Sequence, residues 1–220
     1  MSYLGKRGSN GYRTAPYTKR RKTRGRVKRR RRRSQAAMRI AGVEKKFFDT
    51  TRAAAAFGAD NVWENVSGTA GFINAIQQGD GESNRDGRKI VITSVHARFQ
   101  LASNTVTRII GVIDKQTNGA ATTIASILDT ASSTDDVLAF RNLQTTTRYT
   151  IFYDETIDET YNSGGNRIHH CNKKMDLPVQ YDASTGAITD VVDRSIQFWA
   201  ITGTATNSTF AAEYRVRFVG

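Results

Sequence analysis

Phe210-Ala-Ala-Glu-Tyr-Arg-Val-Arg-Phe-Val-Gly220, at the carboxyl end of the chain, carries the plainest structural signal. Phe210, Ala212, Tyr214, Val216 and Phe218 share one parity, while Glu213, Arg215 and Arg217 share the other. A period of two places the first set on one face of a β-strand and the second on the opposite face, so one side is core and the other polar. The same pattern recurs in RKIVITSVHARFQLAS (88–103). Val91, Val95, Ala97, Phe99 and Leu101 form its apolar set, and Ser94, His96, Arg98 and Gln100 face the other way beyond Ile90 and Ile92. Further strands are expected over 46–52, 106–114, 147–154, 167–177, 179–182 with 187–191, and 195–204, which makes eight. Pro178 marks a strand end or an edge, because proline cannot donate to a ladder. Helical spacing appears only over 123–129 and 134–142, in pieces that read as loop helices rather than a layer.

Short strands separated by Gly, Asn, Asp, Ser and Thr clusters, without helical crossovers, define an all-β fold. The expected architecture is a single eight-stranded antiparallel jelly-roll β-sandwich preceded by a disordered basic arm. Charge places the boundary between the two. Residues 1–43 hold 16 Lys or Arg and no acid, whereas residues 44–220 hold 17 basic and 20 acidic side chains. The arm therefore carries +16 and the body −3, within a total of +13. A body of this length buries roughly 70% of its unfolded surface, enough for a core without staples. Cys171 is the single cysteine, which excludes a disulfide scaffold. Apolar runs such as 53–57 are far too short to span a bilayer, and the amino terminus lacks the apolar stretch of a secretory signal, so a soluble protein made inside the cell is expected.

Residues 19–33, KRRKTRGRVKRRRRR, place 12 cations in 15 positions, nine of them Arg. Like charges this dense repel too strongly for a compact state, so the segment is expected to be disordered when alone. It is also a polyphosphate ligand, since each neutralised phosphate releases condensed counter-ions without regard to base sequence. The expected contacts are Lys19, Arg20, Arg21, Lys22, Arg24, Arg26, Lys28, Arg29, Arg30, Arg31, Arg32, Arg33 and Arg39, continued into the body by Lys45, Lys46 and Arg52. The bland role for the last three is a charged edge that discourages wrong strand pairing. Guanidinium planes stack on unpaired bases, and Tyr3, Tyr12 and Tyr17 offer further stacking or are plain linker residues. The run also reads as a nuclear-localisation address. No Leu, Phe or Trp is interleaved with the charges, which argues against a membrane surface as the target.

Two segments in order, FINAIQQGDGESNRDGRKIVITSV (72–95) and TRIIGVIDKQTNG (107–119), resemble capsid proteins of small circular single-stranded DNA viruses. Gly79, Gly81, Arg85, Gly87 and Lys89 carry the first likeness, and Asp114, Lys115, Gln116, Asn118 and Gly119 the second. It continues through FRN (140–142), RYTIFYDE (148–155) and the terminal YRVRFVG, and geminivirus-like and satellite-necrosis-virus-like shells are similar. The resemblance implies a jelly roll that closes into a small icosahedral shell, of T=1 type with about 60 copies, around a single-stranded DNA genome held by the arm. It also implies a virion location, assembly in the host nucleus after delivery by an import receptor, and calcium between subunits as one option. About 60 arms bring about 960 charges, enough for on the order of a thousand phosphates. Phosphate neutralisation is blind to the sugar, so DNA rests on the likeness and RNA stays open. The rival from another class is a non-assembling nucleic-acid-binding β-barrel module with a basic tail.

Other clusters carry weaker chemistry. His169, His170 and Cys171 are adjacent, and strand geometry sends neighbours to opposite faces, so they cannot chelate one ion together. DETIDE (154–159) gathers four carboxylates and reads as a solvated acidic loop without calcium-ligand spacing. Gly79-Asp-Gly81 lacks the ending and helix of a nucleotide loop and reads as a turn that tolerates positive φ. Trp63 and Trp199 read as core or interface anchors. No nucleophile, base and orienting group stand together, with three His in the chain, so no enzymatic activity is expected.

Overall fold

A computed structural model describes residues 44–102, 105–117, 119–130, 136–159, 167–205 and 208–220. The chain divides into two units, Met1–Val43 and Glu44–Gly220, and the first lies outside the described residues. The body consists of strands β1 (Lys45–Ala56), β2 (Glu64–Asn65), β3 (Lys89–Ala102), β4 (Val106–Asp114), β5 (Leu128–Asp129), β6 (Phe140–Arg141), β7 (Tyr149–Asp158), β8 (Arg167–Tyr181), β9 (Val191–Asp193), β10 (Ser195–Thr202) and β11 (Thr209–Val219). One sheet has the order β1-β11-β3-β8-β9 and the other β2-β10-β4-β7. Every ladder between these strands is antiparallel. Leaving aside the short β9, the chain alternates between two four-stranded sheets in the connectivity of a jelly roll.

The inward face of β11 follows the parity seen in the sequence, whereas β3 follows it only from Val95 on: Val91, expected on the core face, is half-buried, and Ile90 and Ile92 are buried instead. Phe210, Ala212, Tyr214, Val216 and Phe218 of β11 are all buried. In β3 the buried set changes parity, from Ile90 and Ile92 to Val95, Ala97, Phe99 and Leu101. A register shift between Ile92 and Ser94 against β8, matched by one at Arg217/Phe218 against β11, makes the change possible. An extra residue in one strand rotates the side chains that follow onto the other face. Phe99, Phe198 and Tyr214 meet at the centre, with ring centroids 5.4 Å apart for Phe99 and Phe198 and 5.2 Å for Phe198 and Tyr214. The Tyr214 hydroxyl donates to the Val66 carbonyl at 2.6 Å, which satisfies its one buried polar atom.

Several expectations need correction. The stretch 179–182 is not a separate strand but the end of β8, which runs through Pro178. The Pro178 carbonyl accepts from Arg194 Nη1 at 2.8 Å, on the side away from β3. Its nitrogen points the same way, so no ladder bond to β3 is lost. Residues 187–191 hold the 3₁₀ turn Ile188–Asp190 rather than a strand. The eighth strand is instead β2, two residues within the unassigned stretch between β1 and β3. DETID belongs to β7, not to a loop. Gly79 and Gly81 are not among the residues with positive φ. A Cβ on Gly79 would lie 2.6 Å from Asn84 Nδ2, the end of a side chain with room to swing aside.

The 115–148 connection also does more than bridge strands. Its helical turn Ile124–Ile127, the 3₁₀ turn Asp136–Leu138 and the β5–β6 ribbon cover the outer face of the second sheet. They bury a second core of Ile127, Leu128, Val137 and Ala139 against Ile110, Val112, Trp199, Ile201 and Trp63. Both tryptophans are core residues. The outer face of the first sheet has no such cover among the described residues of the body.

Candidate nucleic-acid interface

That uncovered face is built by register. Outward parity on β1 presents Lys45, Phe47, Asp49 and Thr51. Across the ladders, Arg217 pairs with Ser94 and Ser94 with Lys174; Arg215 pairs with His96 and His96 with Asn172; Glu213 pairs with Arg98 and Arg98 with His170. The result is a patch with five cations (Lys45, Arg98, Lys174, Arg215, Arg217) against three carboxylates (Asp49, Asp176, Glu213), on a body whose net charge is negative.

The cations are not equivalent. Arg215 is committed to Asp49 through a two-pronged contact, Nε to Oδ1 at 2.7 Å and Nη2 to Oδ2 at 2.6 Å, and its guanidinium lies 4.9 Å from the Phe47 ring centre. Such an exposed pair adds little stability, but it fixes the plane of the guanidinium beside a half-exposed aromatic ring. Lys45, Arg98, Lys174 and Arg217 have no ion pair among the described residues. They keep their charge available to a polyanion. His96 lies amid them, and its own partial burial, reinforced by Arg217 and Arg215, holds its imidazole below the ordinary histidine range.

Of the expected contacts, Lys19, Arg20, Arg21, Lys22, Arg24, Arg26, Lys28, Arg29, Arg30, Arg31, Arg32, Arg33 and Arg39 lie outside the described residues. Lys45 is exposed on the outward face of β1. Lys46 points inward, is 4% exposed and bonds Asp86. Arg52 also points inward, to Glu64 Oε2 at 3.1 Å and the Asn65 carbonyl at 3.3 Å. One strand thus separates three cations by parity, and only Lys45 joins the face. Arg98, Lys174, Arg215 and Arg217 were not singled out as contacts from the sequence. Their parity was visible there, but the register that gathers three strands into one patch was not.

The remaining clusters resolve into structural contacts. His170 faces outward, while Cys171 is buried and its thiol is pushed up to about 11 by burial, which leaves it inert at neutral pH. His169 Nε2 lies 3.3 Å from the buried Glu159. Asp154 is held by Arg108 at 2.7 and 2.8 Å, and Glu155 accepts from the Tyr153 hydroxyl. Among the described residues no group of three or more His, Cys, Asp or Glu side chains could hold a metal ion, and no helix is long and apolar enough to cross a membrane.

No family model matches the chain, and no curated protein matches it. Among solved structures it is similar to infectious bursal virus derived T=1 particles, with 13% identity and a TM-score of 0.14 over 80% of this chain. The chain spans 40% of the length of that structure's chain. A likeness at this level carries no argument, and the fold rests on the strand order itself.

Proposed function

We propose that the protein is a viral coat protein that assembles into a small closed shell, of T=1 type with about 60 copies, and packages single-stranded nucleic acid through its Arg-rich arm. The observation that carries this reading is a division of charge on a jelly roll. The body is nearly neutral and so offers little repulsion to its own copies, whereas 16 cations precede β1 and five more lie on the outward face that β1 shares. A polymer that engages many arms at once raises the local concentration of bodies, so packaging and assembly are coupled. DNA is the expected cargo from the resemblance to capsids of circular single-stranded DNA viruses, and nuclear import of the subunit and a virion location follow from the same likeness.

The second reading, a non-assembling module, is favoured by the basic face itself, which would serve a monomer equally well. Nuclease protection separates the two. The full-length protein mixed with a single-stranded DNA circle is expected to shield it completely in round particles, and an RNA of equal length tests the choice of sugar. Complete digestion of both polymers in the presence of saturating protein would overturn the coat-protein reading.

The face also predicts a pH dependence. His96 is confronted by Arg215 and Arg217 from β11, by Asn172, His170 and Lys174 from β8, and by Arg98 along its own strand, with Glu213, Asp176 and Asp49 as the acids. Its pKa in the folded body lies below the ordinary value of about 6.5, so its contribution to stability is intact above that pH and declines as pH falls through it. Phosphates on the face oppose the arginine field and draw a proton onto the ring. Oligonucleotide affinity is therefore expected to rise roughly tenfold from pH 7.5 to 5.5, and H96Q to flatten part of that rise. Fluorescence anisotropy across this range at fixed salt checks it; an identical profile in H96Q would count against the face.

A further inference from the structure

We infer that Leu138, Phe140 and Leu143 form a self-association patch that seats on a second copy of this chain, an inference that rests on the assembly reading above and adds a contact to it. These side chains are 69%, 85% and 80% exposed, within six residues of sequence. Chain geometry keeps them within about 18 Å of one another. The other end of the same segment is buried, since Val137 and Ala139 sit in the second core. The segment thus alternates core-facing and solvent-facing apolar residues, which is the pattern of a layer covered on both sides.

The backbone beneath the patch is pinned. Arg108 Nη1 donates to the carbonyls of Val137 and Ala139, both at 2.8 Å, while its other nitrogens grip Asp154. Trp63 Nε1 donates to the Asp136 carbonyl at 3.3 Å. Asn142 N bonds the Ile127 carbonyl at 2.9 Å, and Thr145 Oγ1 donates to the Ser126 carbonyl at 2.6 Å. These bonds hold three large apolar side chains in water rather than letting the segment turn them in. That arrangement is preorganised for a partner.

The chemistry selects the partner. A polynucleotide needs cations, and the neighbouring ones are already spent, Arg108 on Asp154 and the carbonyls of Val137 and Ala139 and Arg141 on the carbonyls of Thr146 and Tyr149, while Asp129 and Asp136 add negative charge. An anionic lipid surface asks for the same missing cations. Area then distinguishes a second copy from a tight heterologous partner. The three side chains expose roughly 400 Å², at the size where patches on monomers are commonly functional. Two such patches together would bury roughly 800 Å², below the ~1,200 Å² of a stable specific pair. The patch is too small to hold a lasting complex alone and suited to a contact repeated about symmetry axes in an assembly.

The test uses the full-length chain with single-stranded DNA. L138S/F140S/L143S is expected to retain its circular dichroism and its binding of a short labelled oligonucleotide, and to lose at least 90% of the particles seen by sedimentation. F140C supplies a second readout, because the native Cys171 is buried. Its maleimide labelling is expected to be at least tenfold slower in particles than in subunits dissociated in high salt. Particles of normal yield from the triple variant, or equal labelling rates, would overturn the patch while leaving the coat-protein reading intact. A wild-type chain that stays solitary with DNA present would overturn both, and flotation of that solitary chain, but not of the triple variant, with neutral phosphatidylcholine vesicles would reassign the patch to a membrane.

Discussion

Removal of residues 1–43 is expected to abolish most single-strand binding and most of its salt dependence. On a single strand the logarithm of affinity falls with the logarithm of salt at about 0.7 per neutralised phosphate. An arm with 16 cations that engages about 12 phosphates loses roughly 10⁵ in affinity between 50 and 200 mM salt. The truncated body, left with Lys45, Arg98, Lys174 and Arg217, loses only about 50-fold over the same interval. At 50 mM salt the truncation is expected to weaken binding by at least ~10³, measured by anisotropy with a labelled oligonucleotide. Adding R98Q and R217Q to the truncated chain should halve its remaining slope. A slope unchanged by truncation would show that the body, not the arm, grips the polymer, and one unchanged by the two further substitutions would remove the outward face from the account.

Replacing Arg85 is expected to cost a large part of the stability of the body while leaving the aromatic core intact. Arg85 is fully buried, with Nε donating to the Ile76 carbonyl at 3.0 Å, Nη1 to Gly87 at 2.6 Å and Nη2 to the carbonyl of Ala183. Its guanidinium stacks 4.2 Å from the Tyr181 ring centre. Among the described residues no carboxylate bonds it, so the charge is carried by carbonyl dipoles and one π face, and burial pulls its pKa down. The side chain ties the loop before β3 to the loop after β8 and so closes one end of the sandwich. R85M would leave three carbonyls without a donor, at a cost of about 3–5 kcal/mol. For a domain of this size that is a drop in Tm on the order of 10 °C. R85K retains charge but lacks the fork, and should recover only a minor part. A Tm within about 2 °C of the parent in R85M would refute this role.

Arg85 also illustrates what a sequence does and does not disclose. It stands in a Gly-rich stretch that reads as a turn, and nothing local marks it as the arginine that is buried among the described residues. The long strands were legible, because β3 and β11 are half-buried and a half-buried strand writes its faces in alternate residues. Even the β3 irregularity was present as a change of parity from Ile92 to Val95. By contrast, β2 has two residues and makes no pattern at all. β8 is long but lies at a sheet edge over most of its length, so its exposed Lys173, Lys174 and Asp176 blur the alternation on which its span would be read. The DETID segment looked like a loop because its carboxylates suggested solvent, whereas Arg108 and Tyr153 accept it into a strand. For the candidate site, the charge run at 19–33 needs no structure to be seen. The outward face is assembled from residues up to 172 positions apart in sequence, and only the ladders bring Lys45 and Arg217 onto one surface.

In the proposed role one chain both grips a polyanion and tiles with its own copies because of it. Mass photometry of the full-length protein with single-stranded DNA, at a salt concentration where binding is saturated, measures this directly. A discrete, narrow population near the mass of 60 subunits plus nucleic acid is expected. DNA decorated by independent subunits, with mass rising smoothly as protein is added, would contradict it.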